Sequence, residues 1–505
     1  MDKIFAQGMR FVDEYGRERL LRGINMIDKK PYQGKKISFK YAADDEYLKR
    51  CRDCGFNLIR LGALWEVLEP EPGKYNEAFL DELCGILERC EKYGIYVYFD
   101  VHQDVWGEYA NLGGSGAPSW ATLTDGYKVK NTRFVWAEGY YFRKAVWSAF
   151  DNFWRNKPVH GKGLQDWYAD LFRHLAERFK DKPALLGYEV MNEPVPGKLN
   201  GKILLKLIKS VVGAALKDEH FKLGKLLGAV VKKGDPLEQF TAPLISKAGE
   251  KCAPLLREFE DKYYTPFVNK IALAVKEVDP ERMVVFDQCY WSNFFVPCNV
   301  GPVKKSDGST DGNLCYSPHG YDLMVDTPAY EFADNDRTAG IFEICRKAQE
   351  RLDLPVIVGE WGGGGEGVNW YPHIDFLLDL WEKYKWSNTY FFYLEDEEEL
   401  AYRNKQDVGK QDLWDIPLPH TVLNRPFPMA VCGEIEAYHY DTAEHIFTLS
   451  YNQAEPSEQA TEVFLPSRPQ SVELDAGEYK LAEYGNAFCL KLSTGVGHHT
   501  LRVQL

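Results

Sequence analysis

Eight short apolar runs punctuate the first 400 residues: LLRGINM (20–26), FNLIRLG (56–62), IYVYFDV (95–101), LLGYEVMN (185–192), MVVFDQ (283–288), LCYSPHG (314–320), PVIVGEW (355–361) and NTYFFYL (388–394). They are nearly continuous in apolar residues rather than alternating, as parallel strands covered on both faces require. Helical patterns separate them, for example Ala78 to Tyr93 and Trp167 to Phe179. Eight strands with seven helical crossovers predict an α/β chain folded as a (β/α)8 TIM barrel. An open, doubly wound sheet is the rival arrangement for the same pattern.

The pattern changes near residue 420. RPFPMAV (425–431) carries two prolines and cannot continue a helix. Short alternating runs follow, among them HIFTLSYN, TEVFLP, SVELD, FCLKLS and HTLRVQL, each bounded by turn residues. They predict a C-terminal antiparallel β-sandwich. The expected division is a catalytic barrel over 1–418 and a sandwich over 419–505. With 505 residues, 45% of them apolar, the chain can fill both cores.

Charge and composition narrow the partners. The net charge is −14, which disfavours general attraction to nucleic acid. No run of about 20 apolar residues is present to span a bilayer. The start, MDKIFAQGMRF, shows no secretory leader. The 11 cysteines form no disulfide-like framework, which fits a reducing compartment. Cys51 and Cys54 lack a second ligand pair and read as structural thiols rather than a zinc site. The chain is therefore expected to be cytoplasmic, or secreted with its signal peptide missing from this sequence.

Two insertions fall after barrel strands three and four, on the side where barrels keep their active sites. Residues 106–154 contain 13 aromatics, among them Trp106, Tyr109, Trp120, Trp136, Trp147 and Trp154. Residues 198–260 are helical in pattern, and their first part, 198–233, holds nine lysines against Asp218 and Glu219. Ile203, Leu204, Leu207, Ile208, Val211 and Val212 recur at helical spacing, with Lys202, Lys206 and Lys209 beside them. Two readings stand for this basic segment: an ordinary barrel helix with solvated lysines, or a lid facing a lipid, with contact to a membrane surface or micelle.

Two strand ends carry the chemistry. VMNEP ends strand four with Glu193 after Asn192, and VIVGEWGG ends strand seven with Glu360. A carboxylate at the end of a buried apolar strand is costly unless it faces a wet site or has partners. Two such groups converging at one barrel mouth are what glycoside hydrolysis needs: one protonates the departing oxygen, and the other attacks or activates water. Other strand ends agree. Arg60 ends strand two, where its charge would hold Glu360 ionised. His102 and Asp104 follow strand three in DVHQD, placed to bind sugar hydroxyls. His319 and Tyr321 follow strand six in SPHGY, with Tyr321 placed to donate to a nucleophilic carboxylate.

Together Arg60, His102, Asn192-Glu193-Pro194, His319, Tyr321 and Gly359-Glu360 resemble the retaining glycoside hydrolases of family 5. DVHQD, GGSGAPSWA (113–121), the aromatic insertion and RPFPMAVCG (425–433) resemble its endoglycoceramidase branch, with the related glycosylceramidases. The resemblance implies Glu193 as acid/base, Glu360 as nucleophile, Asn192 on the sugar 2-hydroxyl, and Asp104 on the hydroxyls of the sugar at the cleaved bond. It implies a further lysine, supplied by Lys29 or Lys30. It implies no metal or cofactor, and a glycolipid substrate whose lipid is ceramide first. Oligomeric state is left open. One departure matters: the family usually presents a tryptophan after strand eight, where this chain reads YFFYLEDEEE. Tyr393 stands in the likeliest place, with Trp361 or Trp386 as substitutes, and Glu395 to Glu399 read as a solvated rim. Rival functions are an intracellular β-glucosidase acting on glucosylceramide, steryl or aryl glucosides, a polysaccharide endo-glucanase, and a non-catalytic binding protein.

Overall fold

A computed structural model describes residues 1–27, 45–132, 136–217, 235, 237–324, 332–362, 371–391 and 422–505. Lys29, Lys30, Tyr393, Glu395 to Glu399 and residues 218–233 lie outside the described residues.

All eight expected strands form, as Arg22–Ile27, Leu58–Leu64, Tyr96–His102, Leu185–Glu189, Met283–Asp287, Leu314–Ser317, Ile357–Trp361 and Ser387–Tyr390. Every pair within their sheet is parallel. Closure falls between strands six and seven, where Tyr316 bridges to Val356 and His319 to Glu360. A closed sheet of eight parallel strands is a barrel, and the open-sheet rival falls.

Alternation along the strands explains the layered interior. Successive side chains point in opposite directions, so Leu58 and Arg60 face the same way. Low in the barrel, Leu58, Tyr98, Val285, Cys315 and Ile357 pack in one apolar cluster. Two residues higher, Arg60, Asp100, Asp287 and Ser317 are buried polar groups. The runs look continuously apolar because the outward positions are covered by helices. The helix Glu77–Lys92 shows how: Asn76 caps it by accepting from Phe79 N, and Phe79, Leu80, Leu83, Ile86, Leu87 and Cys90 form its buried face. Each such side chain contributes about 1.5–3 kcal/mol by leaving water.

The sandwich is built as expected, with one addition. Its smaller sheet orders Glu434–Asp441, Ile446–Gln453, Gly497–Gln504 and Ser471–Leu474, all antiparallel. Its larger sheet begins with the first three strands of the chain, Ile4–Gln7, Arg10–Asp13 and Glu18–Arg19, which join Phe427–Val431 through Glu18 and Arg19. A division at residue 418 assigns these strands to the barrel; the pairing assigns them to the sandwich sheet. They serve both bodies, because Ile4 and Phe11 also pack into the cluster at the barrel floor. Arg425, only 2% exposed, fastens the junction by donating to Asp375, Asp379 and Glu382.

The aromatic insertion chiefly extends the core of the barrel. Trp106, Phe150, Phe153 and Trp154 are buried and meet Trp65, Tyr168 and Phe267 edge-on or tilted. Tyr109, Tyr127, Trp136 and Phe142 remain exposed. The basic insertion differs. Its helix Leu199–Ala215 packs on Ala242–Phe259 but leaves Leu205, Ile208 and Val212 about half exposed, with Leu216 exposed just beyond.

Candidate active site

Arg60 is the hub on which the strand ends converge. It is 1% exposed. Its Nε donates to Glu189 Oε2 at 2.6 Å and its Nη2 to Glu189 Oε1 at 3.1 Å. Nη1 reaches Asn25 Oδ1 at 3.1 Å and Glu360 Oε1 at 2.6 Å. Nη2 also donates to Asn192 Oδ1 at 2.9 Å and pairs with Asp100 Oδ2 at 3.1 Å. The planar guanidinium thus ties together strands one, two, three, four and seven. A lysine has one charged atom and cannot span these acceptors.

Glu193 sits in a strained turn. Its φ is +41°, a conformation that non-glycine residues adopt at a cost. Two buried side chains hold the turn. Asp287 Oδ2 accepts from Glu193 N at 2.9 Å. Gln103 Nε2 donates to the carbonyls of Asn192 and Glu193 at 2.8 and 3.1 Å. Burial raises the Glu193 pKa above the ordinary glutamate value, while its hydrogen bond and attraction to His319 oppose the rise and Glu360 and Asp104 add to it. A carboxyl that keeps its proton to higher pH than an ordinary glutamate is suited to act as an acid.

Glu360 has different company. It accepts from Arg60 at 2.6 Å and from the Tyr321 hydroxyl at 3.3 Å. A guanidinium in contact and a phenol donor both favour a charged carboxylate. His319 stands between the two acids: its Nδ1 is 3.3 Å from Glu193 Oε1 and 3.9 Å from Glu360 Oε2. Those two oxygens are therefore no further apart than the sum of these distances. Burial disfavours a charged His319, but Asp287, Glu360 and Glu193 outweigh it and push its pKa up to about 9. Gly359 makes room for this ring, since a Cβ there would lie 2.7 Å from His319 Nε2.

His102 and Asp104 line the strand-three side. His102 Nδ1 lies 2.7 Å from Asp100 Oδ2, and its Nε2 lies 3.3 Å from Asp104 Oδ2. Asp104 borders a cavity of about 210 Å³ that Asn111, Ser115 and Trp136 also line. Asn192 is at the centre, but its amide is engaged with Arg60 and with the Gln103 carbonyl. Trp361 does not serve the site. It is fully buried, donates to Asn388 Oδ1 at 3.1 Å and meets Trp381 and Tyr390 edge-on. Trp386 is likewise buried and donates to Gln349. Both rings are spent on packing the barrel wall, so neither replaces the strand-eight tryptophan.

Four residues of the site carry no role in the sequence reading: Gln103, Glu189, Asp287 and Asn293. Glu189 and Asp287 had a signal, because each is a carboxylate inside an otherwise apolar strand. Burial raises the pKa of both, most strongly for Asp287. Gln103 lies within HQD but looks like a spacer between two stronger residues. Asn293 has no local signal at all. It lies in the single turn Tyr290–Phe294 and donates to Glu193 Oε1 at 2.7 Å.

A raised-pKa carboxyl and an arginine-paired carboxylate flanking one barrel mouth are the kind of pair that glycoside hydrolysis uses. The chain belongs to glycosyl hydrolase family 5: the cellulase model of that family matches residues 12–219 and 251–393, and the family's C-terminal domain model matches 425–503. A curated relative, the endoglycoceramidase of Hydra vulgaris, is 25% identical over 466 residues, spanning 87% of this chain and 75% of that protein. The other curated relatives are matched over less than two thirds of their own length. Among solved structures, endo-glycoceramidase II from Rhodococcus sp. in complex with ganglioside GM3 superposes with a TM-score of 0.72 at 21% identity, covering 99% of each chain. Sterylglucosidase 1 of Cryptococcus neoformans superposes with a TM-score of 0.70 at 18% identity, covering 99% of this chain and 97% of that one. These structures share the fold of both the barrel and the sandwich.

Proposed function

We propose that the chain is a retaining β-glycosidase that cleaves the bond between a glycan and a lipid aglycone, with ceramide as the foremost lipid. The observation that carries the chemistry is the unequal pair: Glu360 on Arg60 at 2.6 Å, and Glu193 held as a raised-pKa acid. The family relatives named endoglycoceramidase support the substrate class.

Glu360 attacks the anomeric carbon while Glu193 gives its proton to the aglycone oxygen, and a glycosyl-enzyme forms. Glu193, now ionised, takes a proton from water, whose oxygen displaces Glu360 and releases the sugar with retained configuration. The closeness of both acids to one imidazole nitrogen leaves room for the carboxyl spacing of about 5–5.5 Å that retention uses. Tyr321 and Arg60 hold the nucleophile, and His319 holds both acids. His102, Asp104 and Asn192 bind sugar hydroxyls. The Asn192 amide has used one N–H and one lone pair, which leaves it a second N–H and a second lone pair for this.

The lipid would arrive from a membrane or micelle surface through residues 198–233. The described part, Leu199–Ala215, supports this with the exposed Leu205, Ile208 and Val212 on one strip. Lys202, Lys206, Lys209, Lys217 and Lys251 line a groove of about 460 Å³ beside it. An apolar strip flanked by lysines suits a surface with anionic head groups.

A second reading, a β-glucosidase for glucosylceramide or steryl glucosides, is favoured by relatives named glucosylceramidase and ergosteryl-beta-glucosidase. Product analysis with a ganglioside and with glucosylceramide, each in detergent, separates the two. Release of an intact oligosaccharide supports the first reading. Glucose from glucosylceramide alone supports the second. Cleavage of an aryl glucoside with neither lipid touched overturns the lipid substrate and leaves the barrel chemistry.

A further inference from the structure

Asn293 reaches the acid through an amide whose direction is fixed by its neighbours. A backbone carbonyl can only accept. The atom of Gln288 that lies 3.1 Å from His319 O must therefore be its amino nitrogen. The Gln288 carbonyl oxygen, at the other end, accepts from the Tyr316 hydroxyl at 2.5 Å. The same Gln288 nitrogen donates to Asn293 at 2.9 Å, so the atom it meets is Asn293 Oδ1. The Asn293 amino group is then the end that faces Glu193 Oε1 at 2.7 Å. Gln288, Tyr316 and Asn293 are all buried.

The turn that carries Asn293 is fastened to the acid's own loop. Tyr290 N donates to Pro194 O at 3.0 Å, one residue beyond Glu193. Charged and titratable groups around the carboxyl come from several elements: His319 after strand six, Asp287 on strand five, Glu360 on strand seven and Asp104 after strand three. His319 approaches the same oxygen as Asn293, Oε1. Among the described residues no protein group hydrogen-bonds Oε2.

We infer that Asn293, locked by Gln288, is a positioning residue that reserves Glu193 Oε1 as an acceptor and so places the transferable proton on Oε2. An oxygen that accepts from an amide N–H at this distance cannot point its own O–H along the same line. The proton then leaves from Oε2 to the aglycone oxygen as the C–O bond breaks and the bond from Glu360 to the anomeric carbon forms. After that step the Asn293 donor stabilises the ionised Glu193, which must remove a proton from water. This inference rests on the role of Glu193 proposed above.

The test compares two leaving groups on the same β-glucoside or β-lactoside, whichever the wild type cleaves. An octyl aglycone needs a proton to depart, and a 2,4-dinitrophenyl aglycone does not. For Asn293→Ala we expect kcat/KM on the octyl glycoside to fall about 10- to 100-fold, a share of the gain from positioned general acids. On the dinitrophenyl glycoside it should change less than about threefold. The alkaline limb of the octyl profile should move to higher pH, because a donor to the charged form has been lost. Gln288→Met, which frees the Asn293 amide, should give the same split with a smaller amplitude, and it carries the test if Asn293→Ala does not fold. Equal losses on both leaving groups, or an unmoved alkaline limb, would overturn the inference. A wild type inactive on both glycosides would overturn the functional reading, and this inference with it.

Discussion

The ends of strands four and seven each bring a glutamate near the same His319 nitrogen, yet the two carboxyls have different surroundings. Glu360 lies within its strand, where the pairing register shifts between Val358 and Trp361, and is held by a guanidinium. Glu193 lies past its strand in a turn with positive φ, where burial and other acids outweigh the pull of His319 and a neutral amide also holds Oε1. The difference teaches that one residue type becomes nucleophile or acid according to what faces it. A full positive charge in contact favours a bare carboxylate, whereas burial among like charges favours a proton.

The largest effect should come from the strand-seven end. Glu360→Gln is expected to lower kcat by about 10⁴-fold or more on any glycoside, because no other group can form the covalent bond. Circular dichroism should show the fold intact; comparable turnover in the variant would break the comparison at its root. At the other end, Glu193→Ala should cost about 10²–10⁴-fold on lipid or alkyl glycosides. With a dinitrophenyl glycoside the same variant should form the glycosyl-enzyme and then stall, visible as a mass increase of the intact protein. Added azide, which needs no general base, should release it as the β-glycosyl azide. If both variants fail in the same way, the two ends are not differentiated.

Arg60→Met removes the charge that distinguishes them. It leaves Glu189, Asp100 and Glu360 buried around a neutral side chain. A loss of about 3–5 kcal/mol in denaturant unfolding is expected. Unchanged stability would show that the carboxylates are already protonated in the fold. A pH profile sharpens the contrast further. Catalysis requires Glu193 protonated, so kcat/KM should fall as pH rises through the raised Glu193 pKa. That fall is expected for an alkyl glycoside and not for the dinitrophenyl glycoside, whose aglycone departs without a proton. The smallest effect is expected away from both ends. Changing Lys202, Lys206 and Lys209 to alanine should lower the rate on glycolipid in anionic micelles a fewfold, and leave a soluble aryl glycoside unaffected. Equal changes on both substrates would make the helix a structural element only.

Much of this was legible in the residues, for identifiable reasons. The strands could be read because covered parallel strands leave long apolar runs, and all eight form at the expected places. Arg60, Glu193, His319, Tyr321 and Glu360 could be read because a polar group at the end of such a run has few bland explanations. Asn293 could not, since asparagine in a short turn is ordinary and its partner is 100 residues away. Trp361 misled for the converse reason. It directly follows Glu360, but alternate strand residues point to opposite faces, so it packs into the wall with Trp381 and Tyr390. The aromatic insertion misled in part, because stacked rings and ligand-lining rings have the same composition.

By itself, then, the sequence determined the barrel, the sandwich, the family motifs and the two strand-end glutamates proposed as the catalytic pair. Hydrophobic periodicity and strand-end polarity are local properties, and they are written in consecutive residues. Only the tertiary structure decided how the acids differ, that the first strands complete the sandwich sheet, and which amide faces Glu193. Each of these depends on distances between residues far apart in the chain, and such distances are set by barrel closure rather than by any local pattern.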